Sequence, residues 1–210
     1  MINSETTTLA KKNIRKKILS LRKKMSSKKV QKNSLACMEN FFRTFNTKVL
    51  KKVAGYSSIH SELNVMPILQ KLDLAGVTCL LPVVDKYSRR LSFRNWRYGD
   101  NLILSEMGVS EPMGRRRECI PNVILTPLVA YDQFGSRLGY GGGFYDRTID
   151  HIKQQFMHDP DDFLIIGIAY SMQKVEKLPC NDLDQKLDWI VTEKGAKSFV
   201  YGKKYLIGGQ

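Results

Sequence analysis

Long apolar runs are missing from this chain of 210 residues. No stretch approaches the ~20 consecutive apolar residues that a membrane helix needs, so no membrane role is expected. Met1 to Ala10 is polar and threonine-rich, without the apolar block of a secretory signal. Cysteine is sparse: Cys37, Cys79, Cys119 and Cys180 are scattered, with no Cys-x-x-Cys pair. That spacing argues against a disulfide framework and against a structural zinc site. His60, His151 and His158 form no ligand spacing with them. Reduced thiols and the lack of an export signal point to a cytoplasmic protein. Internal repeats, low-complexity tracts and an obvious interdomain linker are lacking as well.

Acid is absent from residues 9–32, which hold eleven of the 34 lysines and arginines. The other 23 face 20 aspartates and glutamates, so the net charge of +14 comes from one segment. A nucleic-acid binder usually shows a broad basic face, and this distribution argues against that role. Nor does the basic segment carry an aromatic for base stacking. Hydrophobic content of 42% and charged content of 26% suit a soluble protein whose length allows one ordinary core.

Glycine, by contrast, is concentrated. Gly139, Gly141, Gly142 and Gly143 fall within five positions, after Arg137 and before Phe144, Tyr145 and Asp146. Clustered glycines are entropically costly and imply a backbone that approaches a ligand closely. The apolar run Val123-Ile124-Leu125 precedes them, and a helix is expected from Phe144 to Phe156. Strand, glycine loop and helix is a layout that sets phosphate oxygens at a helix N-terminus. Neither common phosphate motif is present. No Lys-Ser/Thr follows the glycines, as a Walker loop requires, and Phe144 stands where a dinucleotide fingerprint has its third glycine. Arg137 can clamp a phosphate bidentately. Asp146 can serve the helix dipole or ligate a hard cation.

The remaining pattern is α/β. Ile14, Ile18, Leu21 and Met25 make one helical stripe. Ser26 or Ser27 caps a second helix running toward Phe45. Strands are expected at Lys51 to Tyr56, Val77 to Leu81, Leu91 to Trp96, Val123 to Thr126, Phe163 to Ala169 and Trp189 to Thr192, with a helix from Val65 to Leu74. Gly99 to Pro121 reads as irregular. Apolar strands separated by helices indicate an open, largely parallel sheet. Residues 1–8 are expected to be a disordered tail and 9–210 one domain.

Several side chains admit two readings. Lys11 and Arg15 leave one helical face, as a solvated basic surface or as a grip on polyphosphate, with Lys12 a one-residue alternative to Lys11. Glu62 follows a strand, where open α/β sheets bind ligands, yet exposed loop glutamates are common. Tyr140, Phe144 and Tyr145 can pack on the sheet or stack on a flat ligand. Asp188 can end a turn or ligate a metal. Arg115, Arg116 and Arg117 read as a solvated run.

The segment from Leu125-Thr126-Pro127 through Arg147 resembles the signature of the 5-formyltetrahydrofolate cyclo-ligase family. The resemblance continues in Lys11-Lys12-Asn13-Ile14-Arg15, in Ser57 to Pro67, in Gly108-Val109-Ser110-Glu111-Pro112 and in Asp188 to Glu193, over roughly residues 10–195. It implies a Rossmann-like three-layer fold with helices on both faces. The activity it implies is ATP-dependent conversion of 5-formyltetrahydrofolate to 5,10-methenyltetrahydrofolate, releasing ADP and phosphate. ATP would be held by Lys11, Arg15, Arg137, Gly139, Gly141, Gly142, Gly143 and Tyr145. Ser57, Glu62, Tyr140 and Phe144 would hold the folate, with or without a polyglutamate tail. Mg²⁺ would sit on Asp146 and Asp188. No nucleophile is expected, only positioning by Arg137 and Tyr145, and the protein is expected to be a monomer. The rival enzyme class is another α/β enzyme of phosphorylated metabolites, an isomerase or transferase, using the same glycine loop.

Overall fold

A computed structural model describes residues 4–113, 117–200 and 206. Arg115 and Arg116 of the expected cationic run lie outside the described residues. Helices α1 (Ser4–Lys23), α2 (Ser27–Thr44), α3 (Met66–Leu74) and α4 (Phe144–Lys153) flank eleven strands. These are β1 (Lys52–Ala54), β2 (Thr78–Asp85), β3 (Arg90–Trp96), β4 (Leu102–Leu104), β5 (Ser110–Pro112), β6 (Val123–Pro127), β7 (Ala130–Tyr131), β8 (Arg137–Leu138), β9 (Leu164–Ile168), β10 (Trp189–Thr192) and β11 (Gly195–Ser198).

Seven strands form one sheet in the order β11-β10-β9-β6-β1-β2-β3. The five central strands are parallel, and the edge strands β3 and β11 run antiparallel to their neighbours. Both faces are buried, so the strands read as continuous apolar runs rather than alternating ones. Side chains nevertheless alternate between two cores. Val53, Cys79, Leu81, Val123, Leu125, Leu164 and Ile166 meet α2 and α3 through Phe41, Leu69 and Leu72. Ala54, Leu80, Ile124, Ile165 and Ile190 meet α4 through Ile149 and Ile152. This is the α/β architecture expected, with helices on both faces.

Local signals explain the helix ends. Ser26 lies in extended backbone and its Oγ accepts the Lys29 N–H at 3.3 Å, capping α2. Pro67 sits in the first turn of α3, where its missing N–H costs nothing. Two expectations need correction. The tail expected over residues 1–8 is helical from Ser4, because extending a nucleated helix costs little even through threonines. The stretch expected to be irregular from Gly99 to Pro121 contains the β4–β5 hairpin. The basic segment forms two helices as expected, with the break at Lys24 to Ser26 and Ser26 capping the second.

The sheet reverses its winding between β1 and β6. From β1 the chain moves outward to β2 and β3; from β6 it moves the other way to β9, β10 and β11. Loops leaving the carboxyl ends of these two adjacent strands diverge and open a crevice, the usual ligand position in such sheets.

Close packing on the α4 face is testable at Gly167 in β9. A Cβ there would lie 2.7 Å from Leu187 Cδ1 and 2.9 Å from both Ile190 Cδ1 and Leu128 Cδ2. Gly167→Ala should cost ~1–3 kcal/mol in urea denaturation by overpacking. Gly139→Ala, whose Cβ meets nothing within 4 Å, should stay within about 0.5 kcal/mol of the parent.

Candidate active site

The crevice holds a cavity of about 470 Å³. One wall is the glycine loop, Gly139 to Gly143; the facing wall is the loop after β1, with Tyr56, Ser57 and Glu62. Lys11 and Arg15 close one end from α1, and Met107 and Val109 overhang from the β4–β5 turn. Lys11, Arg15, Ser57, Glu62, Arg137, Gly139, Tyr140, Gly141, Gly142, Gly143, Phe144, Tyr145 and Asp146 all line this one space. Lys12 is exposed and outside the lining, so of the two lysines it is Lys11 that reaches this space.

The cationic end is built around backbone. Arg15 Nε donates to the Gly139 carbonyl at 2.8 Å, and Arg147 Nη2 donates to the Gly142 carbonyl at 2.6 Å. Gly143, at φ 68°, caps α4 in the left-handed region that a side chain would resist. A Cβ on Gly143 would come within 2.7 Å of Arg147 Nη1. Among the described residues no protein acceptor takes the N–H groups of Gly141, Gly142 or Gly143. These amides and the start of α4 form an anion-binding concavity. Arg137, buried in β8, donates from Nη2 to Asp146 Oδ1 at 2.7 Å. Burial pulls its guanidinium below the usual arginine range, while Asp146, Tyr145 and Asp184 pull it back. Its Nε is buried without a partner.

Asp146 Oδ1 also accepts the Gln185 N–H at 3.0 Å, and Oδ2 has no protein partner among the described residues. Asp188 does not join it. Asp188 is outside the cavity lining, and its Oδ2 accepts the Ile165 N–H at 2.8 Å, fastening the start of β10 to β9. The expected pairing of Asp146 with Asp188 at the phosphates is therefore corrected: Asp188 precedes its strand, whereas the cavity opens at carboxyl ends. The acid that does line the cavity is Asp184, whose Oδ2 accepts from Lys11 Nζ at 2.5 Å.

At the other end Glu62 is 5% exposed. Its Oε2 accepts the Ile59 N–H at 2.9 Å, while Oε1 is buried with no hydrogen-bond partner. Burial pushes the carboxyl from its ordinary 4.5 up to about 7, against the pull of the Ile59 N–H, the Arg22 charge and the Tyr140 hydroxyl. Tyr56 Oη and Ser58 Oγ donate to the Leu63 carbonyl at 2.8 and 2.9 Å, and the Asn64 N–H donates to Ser34 Oγ at 2.9 Å. These bonds pin the loop that carries Glu62. The Ser57 hydroxyl donates to the Ser110 carbonyl and ties the same loop to β5. Tyr145 is held neutral, since burial raises its phenol far above the ordinary range.

Sequence reasoning missed Arg22 and Asp184. Arg22 was one basic residue among eleven, yet it is 1% exposed. The available signal was spacing: Lys11, Arg15, Ile18 and Arg22 recur at i, i+4, i+7 and i+11, a stripe turned toward the protein. For Asp184 no local pattern in the sequence distinguishes it from Asp182.

Residues 7–193 match the 5-formyltetrahydrofolate cyclo-ligase family. The 5-formyltetrahydrofolate cyclo-ligase of Escherichia coli is 37% identical over 145 residues, covering 67% of this chain and 76% of that protein. That of Haemophilus influenzae is 27% identical over 185 residues, covering 86% and 96%. Among solved structures, the 5,10-methenyltetrahydrofolate synthetase of Aquifex aeolicus superposes with a TM-score of 0.77 at 29% identity, covering 92% of this chain and 95% of that one.

Glu62 makes stability depend on pH. A carboxyl whose folded pKa lies above its unfolded value favours folding fully below the unfolded value, near 4.5, and loses that contribution as pH rises through about 7. Without folate, Glu62→Gln should therefore be more stable than the parent at pH 8, by about 1–3 kcal/mol, and equal to it near pH 4.5. Urea midpoints at the two pH values check this.

Proposed function

The chain belongs to the 5-formyltetrahydrofolate cyclo-ligase family, and from that premise we propose that the cavity between the glycine loop and the Glu62 loop is where it turns over its two substrates. The enzyme is an ATP-dependent ligase that converts 5-formyltetrahydrofolate to 5,10-methenyltetrahydrofolate. The N5-formyl oxygen attacks the γ-phosphorus of ATP and ADP leaves. N10 then adds to the activated formyl carbon and gives up its proton to solvent, and phosphate departs as the five-membered ring closes.

The observation that carries the assignment of roles is polarity: one cavity has cations and unpaired amides at one end and a buried, half-partnered carboxylate at the other. Phosphoryl transfer needs positioning and charge neutralisation more than covalent help. Lys11, Arg15 and Arg137 supply fixed positive charge, and the amides of Gly141 to Gly143 supply donors toward phosphate oxygens. Lys11 exchanges Asp184 for phosphate, so its charge is neutralised while it waits. Glu62 accepts from the amino and ring N–H groups of the pterin, each a charge-assisted bond when the carboxylate is ionised. Tyr140 and Phe144 offer faces to the flat ring, with Tyr145 beside them as a neutral hydroxyl. Held at both ends, the formyl oxygen and γ-phosphorus meet in line, and that approximation supplies much of the rate.

No group of three or more metal-ligating side chains lies together among the described residues. Mg²⁺ does not need one, because waters and phosphate oxygens complete its shell around one or two carboxylates. Asp146 fits that demand: one oxygen is tethered to Arg137 and the Gln185 N–H, and the other has no protein partner among the described residues. When bound, the ion offsets charge developing on the phosphates. The four thiols are free and suit a reducing cytoplasm. No helix among the described residues is long and apolar enough to cross a membrane.

Incubation with 5-formyltetrahydrofolate should raise the near-ultraviolet absorbance of the methenyl product only when ATP and a divalent cation are both supplied. Turnover by the folded protein without ATP would overturn the reading. Asp146→Asn keeps the shape and the Oδ1 acceptor but removes charge. It should lower turnover and raise the half-saturating Mg²⁺ concentration by about tenfold, since an amide is a poorer ligand for a hard cation. A metal titration that overlays the parent would remove Asp146 from the metal.

A further inference from the structure

Helix α1 carries a third inward cation, two turns beyond Arg15. Arg22 is 1% exposed and forms no ion pair among the described residues. Burying an unpaired guanidinium is costly, so its position calls for a partner. Its Nη1 donates to the Leu128 carbonyl at 3.4 Å and its Nη2 to the Tyr140 hydroxyl oxygen at 3.1 Å; its Nε has no partner. The guanidinium carbon lies 5.9 Å from the Tyr140 ring centre. A hydroxyl that accepts from Arg22 has its own proton free to donate, and the Tyr140 hydroxyl adjoins the Glu62 carboxylate. The unpartnered Glu62 Oε1 is the acceptor available there.

We propose that Arg22 is a positioning residue for the folate: through the Tyr140 hydroxyl it keeps the Glu62 carboxylate ionised and aimed into the cavity. The proposal rests on the reading of Glu62 as the pterin acceptor. The groups that face Glu62 are Arg22 from α1, Tyr140 from the glycine loop, Tyr145 from α4, Tyr56 after β1 and Tyr170 after β9. Burial keeps all four phenols neutral at ordinary pH, with Tyr140 and Tyr170 pushed up to about 12. Arg22 is thus the one cation among them. Its charge opposes the desolvation of Glu62, so loss of Arg22 moves the Glu62 titration further up, and folate recognition is then lost at a higher pH.

The test is kcat and KM for 5-formyltetrahydrofolate and for MgATP across the neutral pH range in the full-length enzyme. In the parent, folate KM should rise as pH falls through about 7. Arg22→Gln should move that midpoint up by about one unit and raise folate KM at pH 7 about fivefold, with KM for ATP changed less than about twofold. Arg22→Lys should restore most of the midpoint. Tyr140→Phe removes only a hydroxyl from a partly exposed ring, and should shift the midpoint the same way by less; it decides the matter if Arg22→Gln does not fold. Lys24→Ala, an exposed charge just past α1, is the control for bulk charge and should leave the midpoint in place. Glu62→Gln should flatten the folate profile. A flat Glu62→Gln profile with an unmoved midpoint in Arg22→Gln and Tyr140→Phe overturns the role of Arg22 alone. A Glu62→Gln enzyme with parental folate KM and pH profile overturns the reading of Glu62, and the role of Arg22 with it.

Discussion

Arginine bound to backbone carbonyl is the interaction on which the rest of the site depends. A segment with four glycines in five positions loses much conformational entropy when it is ordered, and has few side chains to hold it. Here the holding comes from outside. Arg15 on α1 grips the Gly139 carbonyl, Arg147 on α4 grips the Gly142 carbonyl, and Arg137 on β8 ties to Asp146 in the first turn of α4. With the carbonyls occupied, the peptide N–H groups between them remain free to face an anion. The same guanidinium groups supply the positive field, so on the proposed reading scaffold and ligand-binding charge are not separable. A lysine could carry the charge but could not grip a carbonyl with one nitrogen and still present a planar fork to phosphate.

Much of this was legible in the sequence, and the reason is physical. The central strands are buried on both faces, so Val123-Ile124-Leu125 and Leu164 to Ile168 appear as plain apolar runs. The glycine loop is legible because backbone that must touch a ligand excludes side chains. Helix α4 starts where Phe144 follows the last glycine, as expected. What stayed hidden depends on tertiary contact. The two-residue strands β7 and β8 are too short for any periodicity. The strand β11 is half-exposed and short, with Lys197 in its middle. Arg22 was obscured by its neighbours, since one buried cation in a lysine-rich helix differs from the others only by phase. Asp184 and Asp188 illustrate the limit most clearly. They are four residues apart and chemically identical, but one faces the cavity and the other fastens a strand.

The Glu62 carboxylate shows how stability and recognition oppose each other in this cavity. A buried carboxyl with one unpartnered oxygen raises the free energy of the unliganded protein. On the proposed reading of Glu62 as the pterin acceptor, that cost falls when a ligand donates to the carboxylate, and the site would then favour a molecule with paired N–H donors over one that merely fits. An apolar side chain there would remove that cost and, on the same reading, the acceptor with it.

The outer edge of β3 is not left bare. The Cys119 N–H donates to the Phe93 carbonyl at 2.8 Å, the Asn95 N–H donates to the Arg117 carbonyl at 3.3 Å, and Arg94 pairs in an antiparallel bridge with Glu118. The irregular segment before β6 thus occupies hydrogen-bonding positions that another chain's strand would otherwise use. Sheets with exposed, flat edges recruit further strands and seed aggregates. Covering this edge with a kinked, proline-containing segment too irregular to be extended by a further strand protects the chain during synthesis and at high concentration, independently of anything that happens in the cavity.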